Sequence, residues 1–168
     1  LLGFISGTEE GYAASLFYAI SYALMAAAAF GMIVVLSQRD DEADAIDDLK
    51  GLNDRSTGMA MVMLVVMFSM TGVPGTVGFY AKWAVLKSVV DTGHVWLAVV
   101  AVLFAVISAF YYLRVLKAVF FDRLEGEAVA IPASPTVRWV CGLNGVAILA
   151  LGIFPGALFA VCRAALGG

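Results

Sequence analysis

Ser69-Met-Thr-Gly-Val-Pro-Gly-Thr-Val-Gly-Phe-Tyr-Ala-Lys82 is an apolar run interrupted by Gly72, Pro74, Gly75 and Gly78, and its lysine has apolar residues on both sides. It sits within a longer stretch, Gly58 to Val90, of 33 residues. As one continuous helix that stretch would be about 50 Å long, well beyond the ~30 Å hydrocarbon core of a bilayer. It must tilt, protrude or break. Chemistry places a break near Gly72 to Gly75: Pro74 has no amide proton and clashes with the preceding turn, and flanking glycines remove the penalty for non-helical backbone. Such backbone is tolerated at membrane depth only where protein buries it or it lines a hydrated cavity, so this helix belongs inside a bundle.

Composition supports the membrane reading. The chain of 168 residues is 62% hydrophobic with a mean hydropathy of +0.96, whereas soluble domains are about half apolar and a quarter charged. Charge is segregated into loops: Asp40, Asp41, Glu42, Asp44, Asp47, Asp48 and Asp54 crowd one stretch, while Tyr12 to Leu36 and Val95 to Leu113 carry none. The net charge of −3 therefore belongs mostly to one connector, and no basic cluster points to nucleic acid. The chain begins at Leu1 with no signal peptide before the first apolar run, and reads as the C-terminal part of a longer chain.

An all-α integral membrane segment with four transmembrane helices follows, at about 12–37, 58–90 (broken), 95–117 and 136–165. In the first, small residues Ala26 to Ala29 and Gly31 allow close helix approach, while Tyr18, Ser21, Tyr22 and Met25 share a face by three-four spacing. That face is either packing or a polar pathway. The acidic connector 38–57 carries Ile46, Leu49 and Leu52 at spacing three, which suits a short interfacial helix, with either a solvated face or a partner-docking role. His94, Trp96, Tyr111, Tyr112, Arg114 and Lys117 flank the third span as interface anchors. A connector at 120–135 leads to the fourth, which is read as one helix holding Cys141 and Cys162 roughly 31 Å apart, too far to pair. Lysine and arginine favour both connectors, so positive-inside places these in the cytoplasm, or the matrix of a mitochondrion, and both chain ends outside.

The residues exclude several chemistries. No histidine lies near a nucleophile, no paired carboxylates occur in a span, no Cys/His cluster suggests a metal or redox centre, and no strand precedes the glycines to make a nucleotide fold. What remains is an amine beside a helix break. An ammonium in the hydrocarbon layer costs roughly 2.5–3.5 kcal/mol on insertion scales and marks a functional-site candidate. Lys82 lies eight residues before Val90, about 12 Å from that end of the span and not far from the midplane. Burial disfavours the charged form of an amine, which lets it release and regain a proton, and unwound backbone can hold water or ions beside it. The competing reading is snorkelling to the headgroups, which fits Lys87 better than Lys82.

Phe68-Ser-Met-Thr-Gly-Val-Pro-Gly-Thr-Val-Gly-Phe-Tyr-Ala-Lys82-Trp83, followed by Ser108-Ala-Phe-Tyr-Tyr-Leu-Arg-Val115, resembles the C-terminal third of the antiporter-like membrane subunits of respiratory complex I, the proton-translocating NADH:quinone oxidoreductase. Tyr18-Ala-Ile-Ser-Tyr-Ala-Leu-Met25, Phe30-Gly31, Asp48-Leu-Lys-Gly-Leu52 and Phe120-Phe-Asp122 fit the same family. The resemblance implies the last four spans of a fourteen-helix, inverted-repeat bundle, with the second span discontinuous and its central-axis lysine, the proton relay, at Lys82. Lysine there favours one sibling over another that carries glutamate. It further implies other membrane subunits of complex I as partners, with NADH, FMN, iron–sulfur clusters and quinone bound elsewhere and no cofactor in this chain. The location implied is a bacterial inner membrane rather than a mitochondrial one. Two alternatives stay open: a subunit of a multi-subunit cation/proton antiporter, and a purely structural membrane bundle.

Overall fold

The computed structural model describes residues 1–37, 46–122 and 134–166, and every regular element among them is helical. A single turn, α1 (Leu2–Ile5), leads into α2 (Glu9–Leu36). Thr8 caps α2 by accepting from the Gly11 amide at 3.0 Å, and Glu9 and Glu10 face the positive end of its dipole. After the undescribed residues 38–45 come a 3-10 turn, Ile46–Leu49, and the short α3 (Leu52–Arg55). Then follow α4 (Thr57–Thr71), α5 (Val77–Asp91) and α6 (Val95–Phe120). Beyond the undescribed 123–133, Ser134 caps α7 (Pro135–Ile153), and α8 (Pro155–Ala164) ends the fold.

Among the described residues, three helices are long and apolar enough to cross a membrane: α2, α6 and α7. The helices α4 and α5 have 15 residues each, about 22 Å, so neither spans ~30 Å of hydrocarbon alone. Between them lie the five non-helical or turn residues 72–76. The helix α2 packs against α4, α5, α7 and α8, and α4 also meets α6 and α7, which puts the α4–α5 junction inside the bundle. Phe17, Met32, Met63, Val66, Val77 and Ile148 are fully buried at the centre. By contrast α6 exposes large apolar residues along most of its length, Val99, Leu103, Val106 and Phe110 among them.

Two expectations need correction. The stretch 136–165 is not one helix: Phe154, at φ −120° and ψ 61°, separates α7 from α8. Pro155 offers no amide to continue the ladder and disfavours helical backbone at the residue before it. Cys141 and Cys162 are therefore on different helices, both free and buried. Nor does Ile46 to Leu52 form one interfacial helix. Gly51, at φ 63°, divides it, and the Gly51 amide bonds back to the carbonyls of Ala118 (3.3 Å) and Asp122 (3.0 Å) at the end of α6. Leu49 and Leu52 are buried as a result. The acidic residues Asp40 to Asp44 lie outside the described residues, as does most of the 120–135 connector.

Candidate functional site

The helix α4 ends at Gly72, whose φ of 94° is the left-handed conformation that a glycine adopts without a Cβ penalty. Any helix leaves its last four carbonyls without partners in its own ladder. Here those are Phe68, Ser69, Met70 and Thr71. The Val73 amide turns back onto the Phe68 carbonyl at 2.9 Å and the Gly72 amide is shared between Phe68 (2.9 Å) and Ser69 (3.0 Å), in the manner of a Schellman motif. The other two are taken by Lys82. Its Nζ donates to the Met70 carbonyl at 2.7 Å and to the Thr71 carbonyl at 2.9 Å. A cation at a helix C-terminus also meets the negative end of the dipole, a favourable term of about 0.3–1 kcal/mol.

The return contact runs the other way. Thr76 precedes α5 but makes no side-chain cap to it, its hydroxyl donating instead to the Val73 carbonyl at 2.7 Å. One of the free amides at the start of α5, that of Gly78, donates at 3.0 Å to Ser69 Oγ on α4. Ser69 is fully buried, and a Cβ at position 78 would collide with the Ser69 carbonyl, so Gly78 lets the two half-helices approach. Thus α5 caps α4 through Lys82, and α4 caps α5 through Ser69. Pro74 and Gly75 sit at the exposed tip between them. The break arises at Gly72, two residues before the proline expected to cause it.

Lys82 also lines a cavity of about 420 Å³ between α2, α5 and α6, together with Ser15, Tyr18, Tyr22, Ser108 and Tyr112. An ammonium has three donors, so two carbonyl bonds leave one for this space. No carboxylate lines it among the described residues. Of the face expected on α2, Tyr18, Tyr22 and Met25 reach the cavity, whereas Ser21 is buried. The two tyrosine rings stack at 6.4 Å. Tyr112, expected from sequence as an interface anchor, lines the cavity with Lys82, while its neighbour Tyr111 is exposed. His94 stays at the α5–α6 junction, 3.3 Å from Thr92, and does not reach the cavity. Lys87 pairs with Asp91 one turn on, at the exposed end of α5.

A sequence profile of the family described as NADH:quinone oxidoreductase/Mrp antiporter, transmembrane, matches residues 1–108, which include the break and Lys82. The chain belongs to this antiporter-like membrane family. Among its curated relatives, the NADH-quinone oxidoreductase subunit N of Alkalilimnicola ehrlichii is 63% identical over 99% of this chain, and that of Halorhodospira halophila 56% identical over 99%. The chain covers 34% and 36% of those proteins, about a third of their length. In solved structures, respiratory complex I from Thermus thermophilus contains a chain that matches 95% of this one at 30% identity, with a TM-score of 0.79 and 35% of that chain covered. The Mrp complex from Dietzia sp. shares the fold at 20% identity and a TM-score of 0.73, over 93% of this chain and 37% of its counterpart. Subunit N is thus the sibling to which the lysine pointed.

Proposed function

We propose that this antiporter-like chain is the lysine-bearing C-terminal part of a proton-translocating membrane subunit of an NADH:quinone oxidoreductase, and that Lys82 relays protons at its helix break. One observation carries the reading. A lysine within an apolar helix keeps its ammonium on two backbone carbonyls and borders a largely apolar cavity that carries the hydroxyl-bearing residues Ser15, Tyr18, Tyr22, Ser108 and Tyr112. The carbonyls offset part of the cost of charge in an apolar surrounding, and the cavity gives a released proton somewhere to go. Gly72 ends α4 and Gly78 lets α5 approach it, which makes those carbonyls available, with Pro74 and Gly75 at the tip of the turn between them. In this reading the chain makes four crossings, with α4 and α5 together forming the second and α7 with α8 the fourth. Both larger connectors lie on the cytoplasmic side of a bacterial inner membrane. Other membrane subunits are its neighbours. NADH, flavin, iron–sulfur clusters and quinone belong to other chains, and a transmembrane potential worth ~2.3 kcal/mol per charge per 100 mV sets the scale of the work.

Lys82→Ala in the assembled complex is expected to lower the protons moved per electron pair while quinone reduction and assembly persist. Unchanged proton yield in an intact complex would remove Lys82 from the path. The fold shared with the Mrp complex supports a second reading, a subunit of a multi-subunit cation/proton antiporter. Copurification with flavin and iron–sulfur subunits separates the two.

A further inference from the structure

The fourth span carries its own break, and that break rests on the first. A Cβ placed on Gly152, near the end of α7, would fall within 2.6 Å of the Gly75 carbonyl oxygen and 2.5 Å of Thr76 Cα. These are backbone atoms, so no rotamer change relieves the contact. The loop pressed by Gly152 is itself closed: both the Thr76 amide (3.3 Å) and the Thr76 hydroxyl (2.7 Å) bond to the Val73 carbonyl. Thr76 and Val77 are buried, which leaves the turn little room on its other side. Pushing Thr76 therefore moves the start of α5 relative to Gly72, and with it Lys82 relative to the Met70 and Thr71 carbonyls. A Cβ on Gly142, in the same helix, would meet nothing within 4 Å, so that position bears no such load.

We infer that Gly152 is a positioning residue for Lys82: the close seat of α7 on the 72–76 turn fixes the offset between α4 and α5 that holds the lysine ammonium on its two carbonyls. The inference rests on Lys82 being the proton carrier. Among the described residues, the titratable side chains sharing its cavity are those of Tyr18, Tyr22 and Tyr112.

The test uses the assembled oxidoreductase in membrane vesicles, with Gly152→Ala, Gly142→Ala and Lys82→Ala alone and Gly152→Ala combined with Lys82→Ala. Proton yield per electron pair is followed as a function of pH. Gly152→Ala should lower the yield and displace its pH profile, and Gly142→Ala should do neither. In the Lys82→Ala background, Gly152→Ala should add no further loss. A Gly152→Ala enzyme with normal yield and profile, beside a defective Lys82→Ala enzyme, overturns the inference and spares the function. A normal Lys82→Ala enzyme overturns the function itself. If Gly152→Ala does not assemble, Pro155→Ala serves instead. It adds no atom against the turn but restores an amide at 155 and frees Phe154 to become helical, so the end of α7 re-seats. A displaced pH profile supports the inference and an unchanged one overturns it.

Discussion

Ser69 does at the start of α5 what a capping serine ordinarily does from the residue next to the helix, except that it reaches across from another helix, nine positions back. Removing its hydroxyl leaves the buried Gly78 amide without a partner. A lost buried hydrogen bond of this type costs about 1–3 kcal/mol. Ser69→Ala is therefore expected to lower the detergent or thermal stability of the subunit, with Ser69→Thr recovering part of it. A stability equal to the parent would show that the amide finds another partner. Gly72 is a sharper case. Left-handed backbone costs a side-chain-bearing residue roughly 1–2 kcal/mol, and a Cβ there would stand 3.3 Å from Lys82 Cδ and 3.4 Å from its Nζ. Strain and crowding fall on the lysine at once.

The two half-helices show which residue ends a helix and which merely follows. Pro74 reads from the sequence as the breaker, yet α4 has already turned at Gly72, and proline commonly stands one or two residues past such a cap. Pro74→Ala should accordingly keep the break and most of the proton yield, whereas Gly72→Ala should impair both. Equal effects of the two substitutions would return the break to the proline. The existence of this break was legible because glycines and a proline gather in a run too long for one crossing. The same length test applied to 136–165, about 45 Å as a helix, with Pro155 inside it, held the signal for the second break, which a lone proline in an apolar run did not make plain. The reciprocal caps were not legible, because they join Ser69 to Gly78 and Lys82 to Met70 and Thr71 through a turn whose path no periodicity describes. Neighbouring side chains on a helix point about 100° apart, so Tyr111 and Tyr112 could not be told apart until the position of α6 against α5 was known.

Over the described residues, large apolar side chains occupy the surface as well as the core. Phe17, Met32, Met63 and Ile148 are fully buried beside the buried serines Ser21 and Ser69, while many other large apolar side chains face outward, above all on α6. Val106, near the middle of α6, is 65% exposed. A charge at the centre of a membrane helix costs roughly 2.5–3.5 kcal/mol on insertion scales. Val106→Lys is expected to reduce membrane insertion or assembly, measured as subunit recovered in the complex, and Val106→Leu to leave it unchanged. Full recovery of the lysine variant would mean that α6 borders water at this level. The ends of the fold also meet: α8 packs on α2, with Arg163 paired to Glu10 and stacked over Phe159, its guanidinium carbon 5.6 Å from the ring centre. Translation delivers these segments in order, so α8 closes upon α2, a helix made well before it. Until α7 emerges, Gly152 is missing from the turn below Lys82. Under the role inferred for Gly152, a nascent chain stalled before residue 152 would hold α4 and α5 by their mutual caps yet lack the helix that sets their offset.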